Sequence, residues 1–383
     1  MVSPRQRMLD AYRGISNERP PVAPEFWIYY PARYLGVDLI TFEREIPFHL
    51  ALKEVFTAYQ CEGWGALFLE TTNPEAKVVQ KVSKVDSETV EEREIVTYRG
   101  QEFSQTIRFH KANPSWLVEG PIKNLQTELE PWMDYLFNKE HSTLGLDMVS
   151  EAYEAVGESY LLEGWLGFPF FDFYALNRHG SFETSIFDFM DPEMEPILTS
   201  LRERYTDYII GLLKYTALNT AIESFVIGCS YSCVSLLGAN LWRKWDKPFL
   251  KRVVAEIHKL GKLAHIHFHG RSTEVIEDLV EIGADCVCPF ERPIGGNVEG
   301  KKGLVTVMGQ LGGKVTFNGN VHTIDTLIRG TPQDVRNEVI EIKEAALQTG
   351  TTHRLIIGSG DQVGQETPEE NIWAMIEEGK RDA

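Results

Sequence analysis

The sequence predicts an α/β protein: a single (β/α)8 TIM barrel over residues 1–383, with an N-terminal extension and a β-hairpin insertion near residues 76–110. Three observations support this fold class. From about residue 124, helix-like segments alternate with short apolar runs, which is typical of βα units and a parallel sheet. Glycines that can end a helix precede several of these runs. The chain also has no central Pro/Ser linker and no second dinucleotide-type half, so one barrel is the most economical interpretation.

The first third of the chain supplies the extension, two early strands and the insertion. Residues 4–14 place apolar side chains at helical spacing. Residues 22–28 and 65–70 are apolar strand candidates, and the segment 46–61 between them has a helical pattern. Residues 76–110 alternate β-branched and aromatic residues with charged ones, which predicts half-exposed hairpins.

The remaining two thirds repeat one pattern, a short apolar run next to a helix. Six further strands are predicted at 159–162, 221–227, 263–267, 286–290, 315–318 and 354–357. Helices are predicted at 143–156, 192–216, 249–260, 272–282, 331–349 and 368–380. In such a barrel the side chains at the carboxyl ends of the strands converge, and the active site lies there.

The composition limits the expected partners. The formal net charge is −18, so phosphate groups would be repelled and no general affinity for nucleic acid or anionic membranes is expected. No apolar run approaches the roughly 20 residues that span a bilayer, and the polar N-terminus lacks the apolar core of a signal peptide. The five cysteines are an odd number, which fits reduced thiols. A cytoplasmic location is therefore predicted.

The strand predicted at 263–267 carries the most distinctive pattern in the chain. His265, His267 and His269 alternate with apolar residues, so an extended strand points all three to one side. Gly270 then allows a backbone to approach a ligand closely. We predict that His267 and His269 are metal ligands at the barrel mouth. His265 lies one step deeper and is expected to be structural or to support a ligand. A hydrogen-bonded core strand is the alternative.

Carboxylates follow several other strands. Asp361 comes from the last strand, and two imidazoles plus one carboxylate with an open position match the catalytic zinc pattern. The same set suits iron(II). Glu70, Glu163 and Glu291 are candidates for acid/base catalysis or for a fourth ligand. For Glu70 and Glu291 the alternatives are support of a ligand from behind and pairing with arginines.

Aromatic and amide side chains at the strand ends are predicted to bind substrate. These are Trp27, Trp165 and Asn318. The aromatic run at 165–174 suits a flat ligand, and Tyr174 within it is a candidate catalytic residue, although a core role explains the run equally well. Cys286 and Cys288 share one face of a strand and are interpreted as small buried residues rather than as metal ligands.

Several motifs together resemble those of the uroporphyrinogen decarboxylase superfamily. They are Arg5-Gln-Arg-Met-Leu-Asp-Ala, Pro24-Glu-Phe-Trp, His267-Phe-His269-Gly270, Gly319-Asn320-Val321 with Gly330-Thr331-Pro332, and Gly360-Asp361 with Thr367-Pro368-Glu369-Glu370-Asn371. The resemblance runs over nearly the whole chain, and its C-terminal half is specific. It implies a (β/α)8 barrel, in agreement with the periodicity.

The decarboxylase branch of that superfamily holds its acidic substrate with an Arg-Gln-Ala-Gly-Arg-Tyr run. Only Arg33 remains here as a candidate substrate-binding arginine, because Tyr29 replaces the first one. Glu70 and Asp361 stand where that branch has an aspartate and a late histidine. Decarboxylation of a porphyrinogen is therefore not expected. A cofactor-free decarboxylase of another acidic substrate is the alternative function, and a ligand-binding member without catalysis is a further one.

The corrinoid-dependent methyltransferase branch binds zinc through a His-x-Cys…Cys pattern, which carries over to His267, His269 and Asp361. Without thiolates the metal is a harder Lewis acid and would sooner polarise an oxygen than activate a thiol. The resemblance therefore implies a zinc-dependent methyltransferase that moves a methyl group between a small O-methyl compound, such as an aryl methyl ether, and a corrinoid protein. Cobalamin would arrive on that separate partner, and a homodimer is familiar in the decarboxylase branch.

Overall fold

The computed structural model describes residues 2–141 and 143–381, in which eight parallel strands form the curled sheet of a (β/α)8 barrel. The barrel strands are β1 (Val22–Ala23), β2 (Trp64–Phe68), β3 (Leu161–Trp165), β4 (Ser224–Cys229), β5 (Leu263–Phe268), β6 (Cys286–Pro289), β7 (Thr316–Val321) and β8 (Leu355–Ser359). Their order is β1-β8-β7-β6-β5-β4-β3-β2, and every pairing is parallel. The predicted fold class is confirmed.

Helices surround the sheet. They are Pro4–Arg13, Tyr29–Leu35, Leu39–Glu45, Phe48–Tyr59, Leu125–Phe137, Thr143–Val156, Phe170–Asn177, Ser181–Met190, Glu195–Asn219, Val234–Lys259, Ile276–Ile282, Gly300–Leu311, Pro332–Thr349 and Glu369–Lys380. Helix Phe48–Tyr59 buries Leu52, Val55, Phe56 and Tyr59, a spacing of three and four residues that gives one apolar face. The faces packed on the sheet form the main hydrophobic core. No helix in the described residues combines the length and hydropathy that a bilayer crossing requires.

The insertion is larger than the sequence predicts. It is a four-stranded antiparallel sheet of Lys77–Lys84, Thr89–Tyr98, Gln101–His110 and Asn113–Glu119, so it extends nine residues beyond the predicted end (119 against 110). The first strand is exposed along its whole length, whereas the second and third bury Val96, Tyr98 and Phe103 against the core. The last strand is half exposed, and apolar and polar residues alternate less regularly along it. The sequence pattern therefore predicts an end before this strand.

The N-terminal extension packs against the end of the barrel away from the mouth, and its Tyr12 hydroxyl lies 3.1 Å from His265 Nδ1. Helix Pro4–Arg13 is fixed there by the Thr316 hydroxyl, which donates to the Ala11 carbonyl at 2.6 Å. Glu62, just before β2, accepts from the Val22 amide at 2.9 Å and from the Arg7 and Arg19 guanidinium groups at 3.0 and 2.7 Å. Because Val22 begins β1, this buried carboxylate joins the two strands that end the sheet order.

Candidate metal centre

Strand β5 places its histidines at successive depths of the barrel. His265 is fully buried, the His267 side chain is 12% exposed, and the His269 side chain is 27% exposed. In the sheet register His267 lies beside Gly228 of β4 and Cys288 of β6. A Cβ atom added at Gly228 would collide with the Trp165 ring, so this glycine leaves room for the indole over β4, the strand beside β5.

Three predicted ligands converge at the mouth. The ligand atoms of His267, His269 and Asp361 all lie within 4.8 Å of one another, and the two Nε2 atoms are 2.8 Å apart. Bond lengths of about 2.0–2.2 Å around zinc separate neighbouring nitrogen and oxygen ligands by roughly 3.5 Å. Two imidazoles and a carboxylate within this span therefore have the donor types and the spacing to hold one divalent cation.

The electrostatics of the two histidines differ. Burial, together with His269 and His265, holds the pKa of His267 well below its usual value, so its ring is neutral and has a lone pair to offer. Burial also opposes charge on His269, but the hydrogen bond to Glu291 and the carboxylates of Asp361 and Glu25 raise its pKa to about 9. Carboxylates thus favour positive charge at the centre.

Glu291 orients the outer histidine. Its Oε1 atom accepts from His269 Nδ1 at 2.8 Å and from the Gly270 amide at 3.1 Å. A carboxylate on the far nitrogen of a ligating imidazole fixes the ring and increases its basicity. Of the roles considered for Glu291, the geometry favours support of His269 over proton transfer to substrate.

Two further residues lie at the centre: Glu25 was not assigned from the sequence, and Cys288 was interpreted there as a small buried residue. The ligand atoms of Glu25, His267 and Cys288 also lie within 4.8 Å of one another. Glu25 lies two residues beyond the end of β1, in the Pro24-Glu-Phe-Trp motif, so a carboxylate near a strand end was visible in the sequence. Cys288 depends on register, because only the pairing of β5 with β6 places it beside His267.

Glu163 lies deeper than the sequence predicts. Strand β3 runs to Trp165 rather than to residue 162, so Glu163 is inside the barrel and fully buried. It accepts from the Ser224 hydroxyl at 2.6 Å and lies 2.9 Å from His265 Nδ1. Glu163 therefore lies inside the barrel and not at the mouth, and its role as a catalytic group or ligand stays a prediction. It supports His265, whose Nε2 atom contacts Cys288 Sγ at 3.0 Å.

Three other predicted site residues lie away from the histidines. Tyr174 is fully buried in helix Phe170–Asn177, where its hydroxyl donates to Asp188 at 2.8 Å, so it is a core residue. Arg33 is exposed and donates to the carbonyls of Gln365 and Thr367, which fastens helix Tyr29–Leu35 to the last loop. Glu70 is exposed two residues beyond β2, without a hydrogen bond or ion pair to the described residues.

An aromatic wall borders the centre. The ring of Trp64 lies 5.6 Å from that of His267, and Trp27 lies 5.4 Å from Trp64. A second aromatic pair, Trp165 and Phe68, lies at the ends of β3 and β2 with 5.5 Å between the rings. Trp64 was missed because it begins a strand rather than ends one. A flat ligand beside His267 would therefore meet indole faces.

Space and an unpaired polar group lie beside the same centre. A cavity of about 400 Å³ opens next to Glu291 and Asp361 and extends to His322 and Arg329. Asn318 lies inside β7, and its Nδ2 atom is buried without a hydrogen-bond partner among the described residues. Its predicted contact with substrate stays a prediction.

Residues 189–381, half of the chain, match the family model described as uroporphyrinogen decarboxylase (URO-D). The chain belongs to the uroporphyrinogen decarboxylase family. This membership confirms the resemblance seen in the motifs. The matched residues include β4 to β8, the part of the barrel that supplies both imidazoles and Asp361.

Two relatives of this uroporphyrinogen decarboxylase family member are methyltransferases. A 183-residue segment is 22% identical to "Methylcobamide:CoM methyltransferase MtbA" of Methanosarcina mazei, over 48% of this chain and 49% of that protein. The match thus spans about half the length of the curated relative. The solved structure of a "methyltransferase from Methanosarcina mazei" superposes with a TM-score of 0.64 at 16% identity, over 99% of this chain and 98% of that one. That likeness establishes a shared fold.

Proposed function

We propose that this chain is a metal-dependent methyltransferase that moves a methyl group between a small O-methyl compound and a corrinoid protein. The observation that carries the proposal is the convergence of His267, His269 and Asp361 within 4.8 Å at the barrel mouth. The similarity to a methylcobamide:CoM methyltransferase supports the reaction class and the corrinoid partner.

The donor set favours an oxygen substrate. Two nitrogens and one carboxylate oxygen keep a divalent ion hard, whereas thiolates suit a thiol. Zinc, or iron(II), bound there would supply Lewis acidity toward the ether oxygen of the methyl donor. His267 and His269 would hold the ion, and Glu291 would keep the His269 ring in place.

The surroundings of the centre suit an aryl methyl ether. Trp64 lies beside His267, Trp27 packs on Trp64, and Trp165 lies over Gly228 of the neighbouring strand. An aryl ring stacked there would place its methoxy oxygen toward the centre, and aromatic burial would exclude water from it. Cobalamin would be presented by the corrinoid protein at the open mouth.

Charge in the site argues against the decarboxylase alternative. Glu25, Glu291 and Asp361 place carboxyl groups, rather than guanidinium or ammonium groups, around the histidines, so the site lacks the cationic anchors that a substrate with several carboxylates needs. Arg33, the candidate anchor for such a substrate, is occupied with backbone carbonyls at the surface. A small neutral ether meets neither obstacle.

Metal analysis of His267→Ala, His269→Ala and Asp361→Ala tests the proposal. We expect the wild-type protein, purified under zinc-replete conditions, to hold stoichiometric metal and each variant to lose at least one ion per chain, because three protein ligands are the usual minimum for a catalytic zinc. Methylation of free cob(I)alamin by a methoxyphenol, followed by its absorption spectrum, should fall in parallel. His110→Ala, in the insertion, is the matched control. Absence of stoichiometric metal in the wild type would refute the proposal.

A further inference from the structure

We propose that Glu25, His267 and Cys288 form a second cation site on the buried side of the first, which takes a zinc-like ion through a carboxylate, an imidazole and a thiolate. This inference deepens the proposed function, because the two sites share His267. It assigns a role to Cys288, which lies outside the His-x-His motif and outside the Asp361 segment.

The contacts of the three side chains have the spacing of metal ligands. His267 Nδ1 lies 3.0 Å from Cys288 Sγ and 3.9 Å from Glu25 Oε2. Zinc bonds of about 2.3 Å to sulfur and about 2.0–2.2 Å to nitrogen and oxygen put tetrahedral ligand atoms roughly 3.5 Å apart. The two observed distances lie on either side of that value, so small side-chain movements would complete the geometry.

The two sites use different nitrogens of one ring. Nδ1 of His267 faces Cys288 and Glu25, whereas Nε2 faces His269 Nε2 at 2.8 Å. The lone pairs of the two ring nitrogens diverge, so one ion cannot take both. With both sites filled, the ring bridges two ions as an imidazolate. The imidazole N–H proton and the Cys288 S–H proton then leave to solvent.

A plain hydrogen-bonded core explains the same residues less well. Cys288 Sγ contacts His265 Nε2 as well as His267 Nδ1, each at 3.0 Å, so two imidazoles converge on one sulfur. Glu25 is 6% exposed, and its one ion-pair partner among the described residues is His267 at 3.9 Å, beyond hydrogen-bond length. A cation between Glu25 and Cys288 would give this buried carboxyl group the close partner that it lacks among the described residues.

The inner ion would differ chemically from the outer one. A thiolate ligand makes it a softer and weaker Lewis acid, and Cys288 and Glu25 leave it little access to the mouth. Its role is to fix the His267 ring between β1 and β6. The outer ion keeps nitrogen and oxygen donors and stays available to an oxygen substrate.

Cobalt(II) loading tests the second site by a signal independent of catalysis. Chelator-treated full-length protein is loaded with Co²⁺, and its near-ultraviolet spectrum and bound cobalt are measured. We expect a thiolate-to-cobalt charge-transfer band and two ions per chain in the wild type. Cys288→Ser should lose the band and one ion. Asp361→Asn should keep the band and lose one ion. Cys286→Ser, a buried cysteine two residues away on the same strand, is the matched control and should keep both.

The alternatives give distinct results. A wild type without the band, or a band that survives Cys288→Ser, overturns the second site. One ion per chain that both Cys288→Ser and Asp361→Asn remove also overturns it, because that result describes a single mixed site. If circular dichroism shows that Cys288→Ser does not fold, Glu25→Gln replaces it and should weaken the cobalt that gives the band about tenfold. Unchanged affinity there counts against the site. If the band is intact but no methyl transfer is detected, the result contradicts the proposed function and leaves the second site supported.

Discussion

At the scale of single residues, the two imidazoles of the outer site are prepared in different ways. His267 is kept neutral by burial and by its histidine neighbours. His269 is kept basic by Glu291, whose Oε1 atom holds its Nδ1 atom at 2.8 Å. The first can offer a lone pair without losing a proton, and the second is held in one orientation. Glu291 therefore controls the outer site without being one of its three ligands.

Replacing that carboxylate by an amide tests its role. Glu291→Gln keeps the size of the side chain but removes the charge that fixes and strengthens His269. We expect the affinity for Zn²⁺ to fall about 10–100-fold, the usual effect of losing such a partner. Competition against a chromophoric chelator measures it. Glu299→Gln, an exposed glutamate of the same loop region, should leave the affinity unchanged. Equal affinities in all three proteins would show that Glu291 does not support the site.

At the scale of elements, a pair of buried aspartates joins two helices to the loop after β4. Asp172, in helix Phe170–Asn177, accepts from the amides of Ser230, Tyr231 and Ser232 at 2.9, 2.6 and 3.2 Å. Asp246, in helix Val234–Lys259, accepts from the Phe171 amide and from the Ser232 hydroxyl. This loop follows the strand that carries Gly228, so the aspartates fix one side of the barrel mouth.

The same pair predicts a pH dependence of stability. Burial raises the pKa of Asp172 and of Asp246 to about 7, and repulsion by Asp246 contributes to the rise at Asp172. In the unfolded chain both would titrate near 3.9. The folded state therefore binds protons more tightly, so this contribution to stability is complete below pH 4 and is lost as pH rises toward 7. Between pH 5 and pH 8 the free energy of unfolding should fall with rising pH.

Urea unfolding of Asp246→Asn between pH 5 and pH 8 measures this contribution. Asparagine cannot ionise, so we expect a shallower fall of the free energy of unfolding with pH than in the wild type. Asp207→Asn, an exposed aspartate paired with Arg252, should keep the wild-type slope. A steeper fall in Asp246→Asn would contradict the assignment of the raised pKa to burial.

At the scale of the whole molecule, the proposed ligands come from strands that are distant in the sheet. His267 and His269 lie on or just after β5, and Asp361 follows β8, with β6 and β7 between them in the strand order. Glu25 follows β1, which ends that order. A bound cation would therefore cross-link the mouth over half of the barrel. Its binding energy would count toward the stability of the native state.

Metal removal tests this link between site and fold. At free zinc about 1,000-fold above its dissociation constant, binding adds about 4 kcal/mol to the free energy of unfolding. We expect chelation to lower the Tm of the wild type by several degrees and zinc to restore it, as followed by calorimetry. Asp361→Asn should show a smaller shift because one site is lost. A wild-type Tm that chelator and zinc leave unchanged would exclude a cation that bridges the strands.

Local patterns were enough to predict the fold class and the alignment of the histidines. The alternation of helices and apolar runs needs only neighbouring residues, and His267 and His269 share a face because strand side chains repeat every second residue. The same kind of information did not show where the side chains of Arg33 and Tyr174 lie. Arg33 was chosen from a family motif and Tyr174 from an aromatic run. The long Arg33 side chain turns toward nearby backbone carbonyls, and Tyr174 lies in a helix that carries it away from the strand end.

The sequence by itself determined that this chain is a (β/α)8 barrel of the uroporphyrinogen decarboxylase family with an imidazole pair on one strand. Only the tertiary structure decided which other groups meet that pair. Cys288 reaches His267 through the register of β5 with β6, Glu25 through the position of β1 in the sheet, and Glu163 lies below the mouth because β3 runs further than its pattern shows. Such contacts join residues far apart in the chain, and their geometry depends on how the whole sheet pairs and curls rather than on any local pattern.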